Sequence, residues 1–225
     1  MTRLARVVAP GLPHHVTQQG VRSLPIFADD DDRRLYLALL REHAQRFGLR
    51  FMAWCLMTNH VHLVVVPKHE HSLARGIGQA HRQYTLAKNR AEGAKGYLFE
   101  GRFSSCVLDE PHLLAAARYT EMNPVRAGIT AKPEGYRWSS ARYHLGLRKT
   151  DPLLTDMRVV DISGNWRRFL RDATDEDAET RLARHISTGR PLGSEAFTAK
   201  LERKLGRPLA PRKRGWPKGK RRKHK

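Results

Sequence analysis

Two histidines stand one residue apart at the head of an apolar run, His60 and His62 in "LMTNHVHLVVVP" (56–67). In a strand the side chains alternate between faces, so both imidazoles share one face while Val61, Leu63 and Val65 take the other. Their Cβ atoms are then roughly 7 Å apart, close enough for both rings to converge on one metal ion. Val64 and Val66 continue the histidine face as apolar residues, which puts the polar site at one end of the strand. Two unrelated histidines, one of them bonded to backbone, would give the same pattern. Two imidazoles also hold a hard cation poorly, so a metal centre requires a third donor.

A candidate donor lies in "AARYTEMNPVRAG" (116–128). If a helix runs to Asn123, Tyr119 and Asn123 are stacked one turn apart. An Asn carbonyl oxygen suits Mg²⁺ or Mn²⁺. A phenol held beside such a metal can lose its proton and attack a phosphate that the metal polarises. The alternative makes Tyr119 a half-buried helix residue and Asn123 a C-terminal cap before Pro124. Tyr84 competes as nucleophile, but it shares a helical face with Leu73, Ile77 and Ala80, which marks a core tyrosine. One turn on from it stands Lys88 rather than an amide or carboxylate. Arg82, Lys88 and Arg90 on the same helix suit phosphate contact. Other chemistries lack their residues: there is no Gly-rich phosphate loop and no CxxC pair. Asp29–Asp32 and Asp109 read as helix caps rather than as a nuclease's carboxylates.

The 225 residues carry a net charge of +20 and a pI near 10.8. Such an excess calls for a polyanionic partner, nucleic acid before anionic membrane. The only cysteines, Cys55 and Cys106, sit in apolar surroundings and read as reduced core residues of a cytosolic protein. The first twenty residues lack a signal-peptide apolar region, and no apolar run approaches about 18 residues, so a membrane role is not expected.

The elements that must hold these residues are legible in outline. "HHVTQQG" (14–20) favours a strand, and residues 28–48 form a helix with Tyr36, Leu39, Leu40, His43 and Phe47 on one face. Residues 49–57 and 60–67 make a hairpin about Thr58-Asn59. A helix capped by Ser72 spans about 73–90, a strand falls within 97–109, and a helix runs from Pro111 to Asn123. The order β-α-β-β-α-β is the ferredoxin-like split βαβ arrangement, an α+β fold whose antiparallel sheet has helices on one face. The aromatics of 135–146 either close the core or contact bases. Residues 175–186 and 194–206 form two helices, either a small helix-turn-helix or a pair packed on the main domain. Thus 1–148 is the main domain, 149–210 a mostly helical extension and 211–225 a basic tail. The tail bears Arg212, Lys213, Arg214, Lys218, Lys220, Arg221 and Arg222 without one acidic residue, and is expected to be disordered until it meets DNA.

"MTNHVHLVVVP", "EGRFSSCVLDEPHLLAAARYTEMNPVRAG" and "YRWSSARYH" together resemble the insertion sequence 200-like transposases, and more closely the REP-associated tyrosine transposases. The resemblance covers about residues 3–150. It implies an HUH endonuclease domain, with U an apolar residue, in which His60-Val61-His62 is the motif. It places the nucleophile at Tyr119 and the third metal ligand at Asn123, where relatives often carry Gln. Thr58 stands where the family usually has Pro. The resemblance further implies Mg²⁺ or Mn²⁺ and a single-stranded DNA hairpin as partner; Arg102 and Arg126 are further candidate DNA-binding residues. It implies a 5′-phosphotyrosine intermediate that a second 3′-OH resolves, in a monomer or a homodimer. Such a protein is expected in the bacterial cytoplasm, at the nucleoid. The alternative is a non-catalytic DNA-binding relative that regulates or organises repeat elements.

Overall fold

The computed structural model describes residues 5–155, 159–172 and 176–210. Strand β1 (His14–Gln19) is followed by helix α1 (Asp30–Phe47), the hairpin β2 (Leu49–Leu56) and β3 (His60–Pro67), helix α2 (Ser72–Glu92), strand β4 (Ser104–Val107) and helix α3 (Glu110–Arg126). The strands form one antiparallel sheet in the order β2-β3-β1-β4. This is the expected α+β, ferredoxin-like arrangement.

Local chemistry sets the ends of these elements. The Asp29 carboxylate accepts from Asp32 N at 2.9 Å, and three further aspartates occupy the first turn of α1. Gly48 closes that helix in the left-handed conformation, φ +66°. Met57 N bonds His60 O at 2.9 Å, which closes the two-residue Thr58-Asn59 turn. Ser72 is not the cap expected of it. Helix α2 starts at Ser72 itself, and the hydroxyl accepts from His69 N at 2.9 Å in the preceding turn. Helix α3 has its cap at Asp109, as expected, but runs three residues past Asn123, with Pro124 inside it. Pro124 removes a single N–H, and the Ala127 N–H bond to Asn123 O, 2.9 Å, carries the helix onward.

Alternation divides the sheet between two cores. Val16, Val61, Leu63 and Val65 pack under α1 and α2, against Tyr36, Leu40, Leu73 and Ile77. Both helices of the βαββαβ unit therefore share one face. Val64, Val66 and Cys106 on the other face pack against α3 through Leu113, Ala116 and Ala117. Both cysteines are buried and free.

Beyond α3 lie α4 (Ala141–His144), α5 (Val159–Ser163), α6 (Trp166–Arg171), α7 (Glu176–Thr188) and α8 (Glu195–Leu205). The aromatics near 135–146 close the core. Trp138 is buried and donates to Asp30 Oδ1 at 2.9 Å, and the Tyr136 hydroxyl donates to Leu56 O at 2.7 Å. Helix α7 enters the α3-side core through Leu182 and Ile186. Helix α8 packs through Leu201 against Val7, Ala9 and Val107. Of the two expectations for this pair, packing on the main domain holds. Both edges of the sheet are bridged: Ser139 pairs with Cys55 beyond β2, and Leu192 pairs with Leu108 just past β4. Among the described residues no helix is long and apolar enough to cross a membrane.

Candidate active site

Strand β3 presents His60 and His62 on the α3 face of the sheet, with ring centroids 4.9 Å apart. Cross-strand pairing adds Thr17 opposite His62 and Gln19 opposite His60. Helix α3 crosses above, and Tyr119 meets His62 edge-on at 5.4 Å. One turn later Asn123 donates its Nδ2 to Tyr119 O at 3.2 Å and lines the cleft beside His60. The Arg126 guanidinium lies 4.6 Å from the centre of the Tyr119 ring. His60, His62, Tyr119 and Asn123 thus line one open cleft of about 330 Å³. The strand alternation and the i, i+4 spacing read from the sequence both hold.

Each ring is held in a state suited to donation. The His60 Nδ1 bonds Asn59 Oδ1 at 2.7 Å, and Asn59 is itself anchored on Ser23 O at 3.2 Å. That bond favours the tautomer with its proton on Nδ1, which leaves Nε2 for a ligand. Burial holds the His60 pKa below its ordinary value, with the Asn123 side chain opposing. Burial, and then the neighbours His15, His60 and Arg126, hold His62 well below it. Both ring nitrogens of His62 are buried without a hydrogen-bond partner among the described residues. An orphaned imidazole nitrogen facing a second imidazole and an amide oxygen fits a divalent cation. No three His, Cys, Asp or Glu side chains cluster closely enough to hold a metal among the described residues. The candidate donor set in the cleft is two imidazole nitrogens and one amide oxygen.

Behind the site, α3 is fastened by a buried carboxylate. Glu121, two residues from both Tyr119 and Asn123, is fully buried. It accepts from Ser140 Oγ at 2.5 Å, His144 Nδ1 at 2.5 Å and Trp166 Nε1 at 2.8 Å. Three side chains from two elements outside the sheet, α4 with its N-cap Ser140 and α6, thereby fix the azimuth of the helix that carries Tyr119.

The basic residues separate. Arg126 belongs to the site. Arg102 is exposed and lines a small neighbouring cleft. Arg82 and Arg90 are exposed on α2, across the sheet from the histidines. Lys88 is a correction: its side chain is only 9% exposed, and its Nζ sits 2.5 Å from Asp32 and 2.8 Å from Glu92. It neutralises two carboxylates between α1 and α2 and has no reach to a phosphate. Arg212, Lys213, Arg214, Lys218, Lys220, Arg221 and Arg222 lie outside the described residues. Tyr84 is buried under the opposite face, its hydroxyl donating to Ile26 O at 2.6 Å.

Two contributors went unread in the sequence. His15 on β1 is fully buried, stacks on His62 at 5.3 Å and meets Tyr119 edge-on at 6.0 Å. The alternation of "HHVTQQ" already put His15, Thr17 and Gln19 on one face, but only the pairing register brings that face beside His62. Ala183 and Ile186 of α7 form another wall of the cleft, a contact without any local signal.

Residues 14–123 match the family model described as "Transposase IS200 like". No protein of curated function matches the chain by sequence. Among solved structures, a REP-associated tyrosine transposase bound to a REP hairpin is 14% identical, with a TM-score of 0.53 over 69% of this chain and 92% of that one. A protein from Deinococcus radiodurans R1 named as a transposase is 19% identical, with a TM-score of 0.36 over 60% of this chain and 97% of that one.

Proposed function

We propose that the chain, whose residues 14–123 match the IS200-like transposase family, is a metal-dependent tyrosine endonuclease and strand transferase acting on single-stranded hairpin DNA. The observation that carries this reading is the convergence of Tyr119 and Asn123 from one helix onto His60 and His62 from one strand. The hairpin is taken from the REP-associated transposase of similar fold, whose complex holds one.

His60, His62 and Asn123 would hold the cation, Mg²⁺ or Mn²⁺. When bound, it supplies charge to polarise the scissile phosphate and to neutralise its transition state. Tyr119 supplies the nucleophile. Its oxygen bonds to phosphorus as the bond to the 3′ oxygen breaks, and the proton the phenol gives up to solvent is matched by one the leaving oxygen takes from it, so that a 3′-OH departs and a 5′-phosphotyrosine remains. A second 3′-OH reverses the exchange and rejoins the strand, with no outside energy source. Arg126 adds positive charge beside the phenol. The Glu121 anchor keeps the Tyr119 ring in place between the two bond exchanges.

Incubation with Mn²⁺ and a hairpin oligonucleotide carrying a flanking single strand tests the reading. A covalent protein–DNA adduct is expected on denaturing gels. It should vanish in Tyr119→Phe and persist in Tyr84→Phe. An adduct that survives Tyr119→Phe overturns the assignment. Intact DNA binding with no adduct under any divalent metal would leave a DNA-binding protein without catalysis.

A further inference from the structure

His15 touches both a proposed ligand and the proposed nucleophile. Its ring stacks on His62 with centroids 5.3 Å apart and meets the Tyr119 ring edge-on at 6.0 Å. It is fully buried, and neither of its ring nitrogens has a hydrogen-bond partner among the described residues. His62 beside it is in the same condition, so four imidazole nitrogens lie together, shut from water and unbonded. A position that only needed filling would hold an apolar ring, because a buried polar group without a partner costs about 1–3 kcal/mol.

A neutral imidazole that gives one nitrogen to a cation carries its proton on the other. That N–H is ordinarily taken by a carboxylate, a carbonyl or water, which fixes both the tautomer and the plane of the ring. For His60 the protein already supplies the partner, since Nδ1 bonds Asn59 Oδ1 at 2.7 Å. His62 has no such partner among the described residues. His15 can serve as one. Burial favours an uncharged imidazole, which keeps one nitrogen free to accept. Its cross-strand partners, Val64 and Cys106, are buried and offer that nitrogen no strong donor in competition.

The strands bring the two rings within reach. His15 lies opposite Val64, two residues on from His62, so the two histidines are diagonal neighbours on the α3 face of the sheet. With centroids 5.3 Å apart and planes inclined by 29°, ring nitrogens turned toward each other come within about 3 Å, the length of a hydrogen bond. We propose that His15 is a positioning residue of the metal site, accepting the spare N–H of His62 when the other nitrogen of that ring holds the cation. The inference rests on the reading of His60, His62 and Asn123 as a cation site, and it gives His15 no contact with the cation or with DNA.

Titration of the full chain with Mn²⁺, followed by loss of the free-ion EPR signal and paired with denaturant melts, tests it. His15→Phe keeps a flat buried ring and removes the acceptor. It should weaken Mn²⁺ binding about 10–100-fold, the usual share of a ligand's hydrogen-bond partner, in a protein that remains folded. His15→Asn and His15→Gln put an acceptor back, and one of them should recover binding to within several-fold of the parent. In the Mg²⁺-loaded parent with ¹⁵N-labelled histidine, a scalar coupling through the N–H···N bond should join the His15 and His62 rings. Undiminished Mn²⁺ binding by His15→Phe, or equal losses in all three variants, overturns the assignment while the cation site stands. If His15→Phe does not fold, the coupling between the rings decides: its presence upholds the role of His15 and its absence refutes it. If the parent binds no divalent cation, the metal reading falls, and the role of His15 falls with it.

Discussion

Acid should unfold this protein through its buried imidazoles, and His81 allows the effect to be measured singly. The residue is 7% exposed on α2, its Nε2 is 2.8 Å from the Tyr36 hydroxyl, and its ring stacks on Phe99 at 4.5 Å. Burial, and then the charge of Arg6, push its pKa from 6.5 to about 3. The folded chain therefore refuses a proton that the unfolded chain accepts throughout that interval. Stability from this group is fully present above the unfolded value and is lost as the pH falls through 6.5 toward 3. At about pH 5 the gap is roughly one and a half pH units, which at about 1.36 kcal/mol per unit is about 2 kcal/mol. The figure depends on the unfolded value and hardly on where below about 4 the folded one lies. Gln at this position keeps a donor or acceptor for Tyr36 but does not titrate. Urea unfolding of the parent and the His81→Gln variant at about pH 7.5 and about pH 5 should show the parent losing about 2 kcal/mol more than the variant. Parallel losses in the two proteins would refute the reasoning. His14 should behave alike: burial lowers it to about 4, and its Nε2 must stay unprotonated to accept from Ala9 N at 3.2 Å.

Other perturbations probe how the site is held. Glu121→Leu strands the Ser140, His144 and Trp166 donors in a dry interior, and should cost about 3–5 kcal/mol of unfolding free energy in denaturant melts. Gly20→Ala would set a Cβ 2.2 Å from Leu24 O and 2.8 Å from Ile26 Cγ2. Because Gly20 N bonds Asn59 O at 2.8 Å, the shift should reach the residue that orients His60. A loss of about 1–3 kcal/mol with slower adduct formation is expected from a clash of this kind. Lys88→Met should lower stability by about 1–3 kcal/mol while leaving the salt slope of DNA binding unchanged. A reduced slope would return Lys88 to the DNA contacts.

The parts of the site that sequence disclosed are those governed by local periodicity. The period of two along β3 separated His60 and His62 from Val61, Leu63 and Val65, and the turn of α3 paired Tyr119 with Asn123. The helical face of Tyr84 likewise marked it as core. What escaped depends on contacts between distant segments. Lys88 has one partner four residues away, but the one that buries it, Asp32, is 56 residues distant. His15 acquires its place from the register of β1 against β3, and Ile186 from the docking of α7. The end of α3 was misread for an energetic reason. A proline costs a helix one hydrogen bond and some crowding, and a helix packed along its length against two strands tolerates that.

The bridges at the two sides of the sheet bear on self-association. An uncovered strand edge is a template for a strand from another molecule. Here the outer backbone of β2 is occupied where Leu56 N bonds Trp138 O at 2.9 Å and Ser140 N bonds Trp54 O at 3.0 Å. The outer side of β4 is occupied where Leu192 N bonds Val107 O at 2.8 Å. A second copy that sought to continue the sheet, in a dimer or in an aggregate, would first have to peel these segments away. Association of intact copies is thereby steered toward helix and loop surfaces.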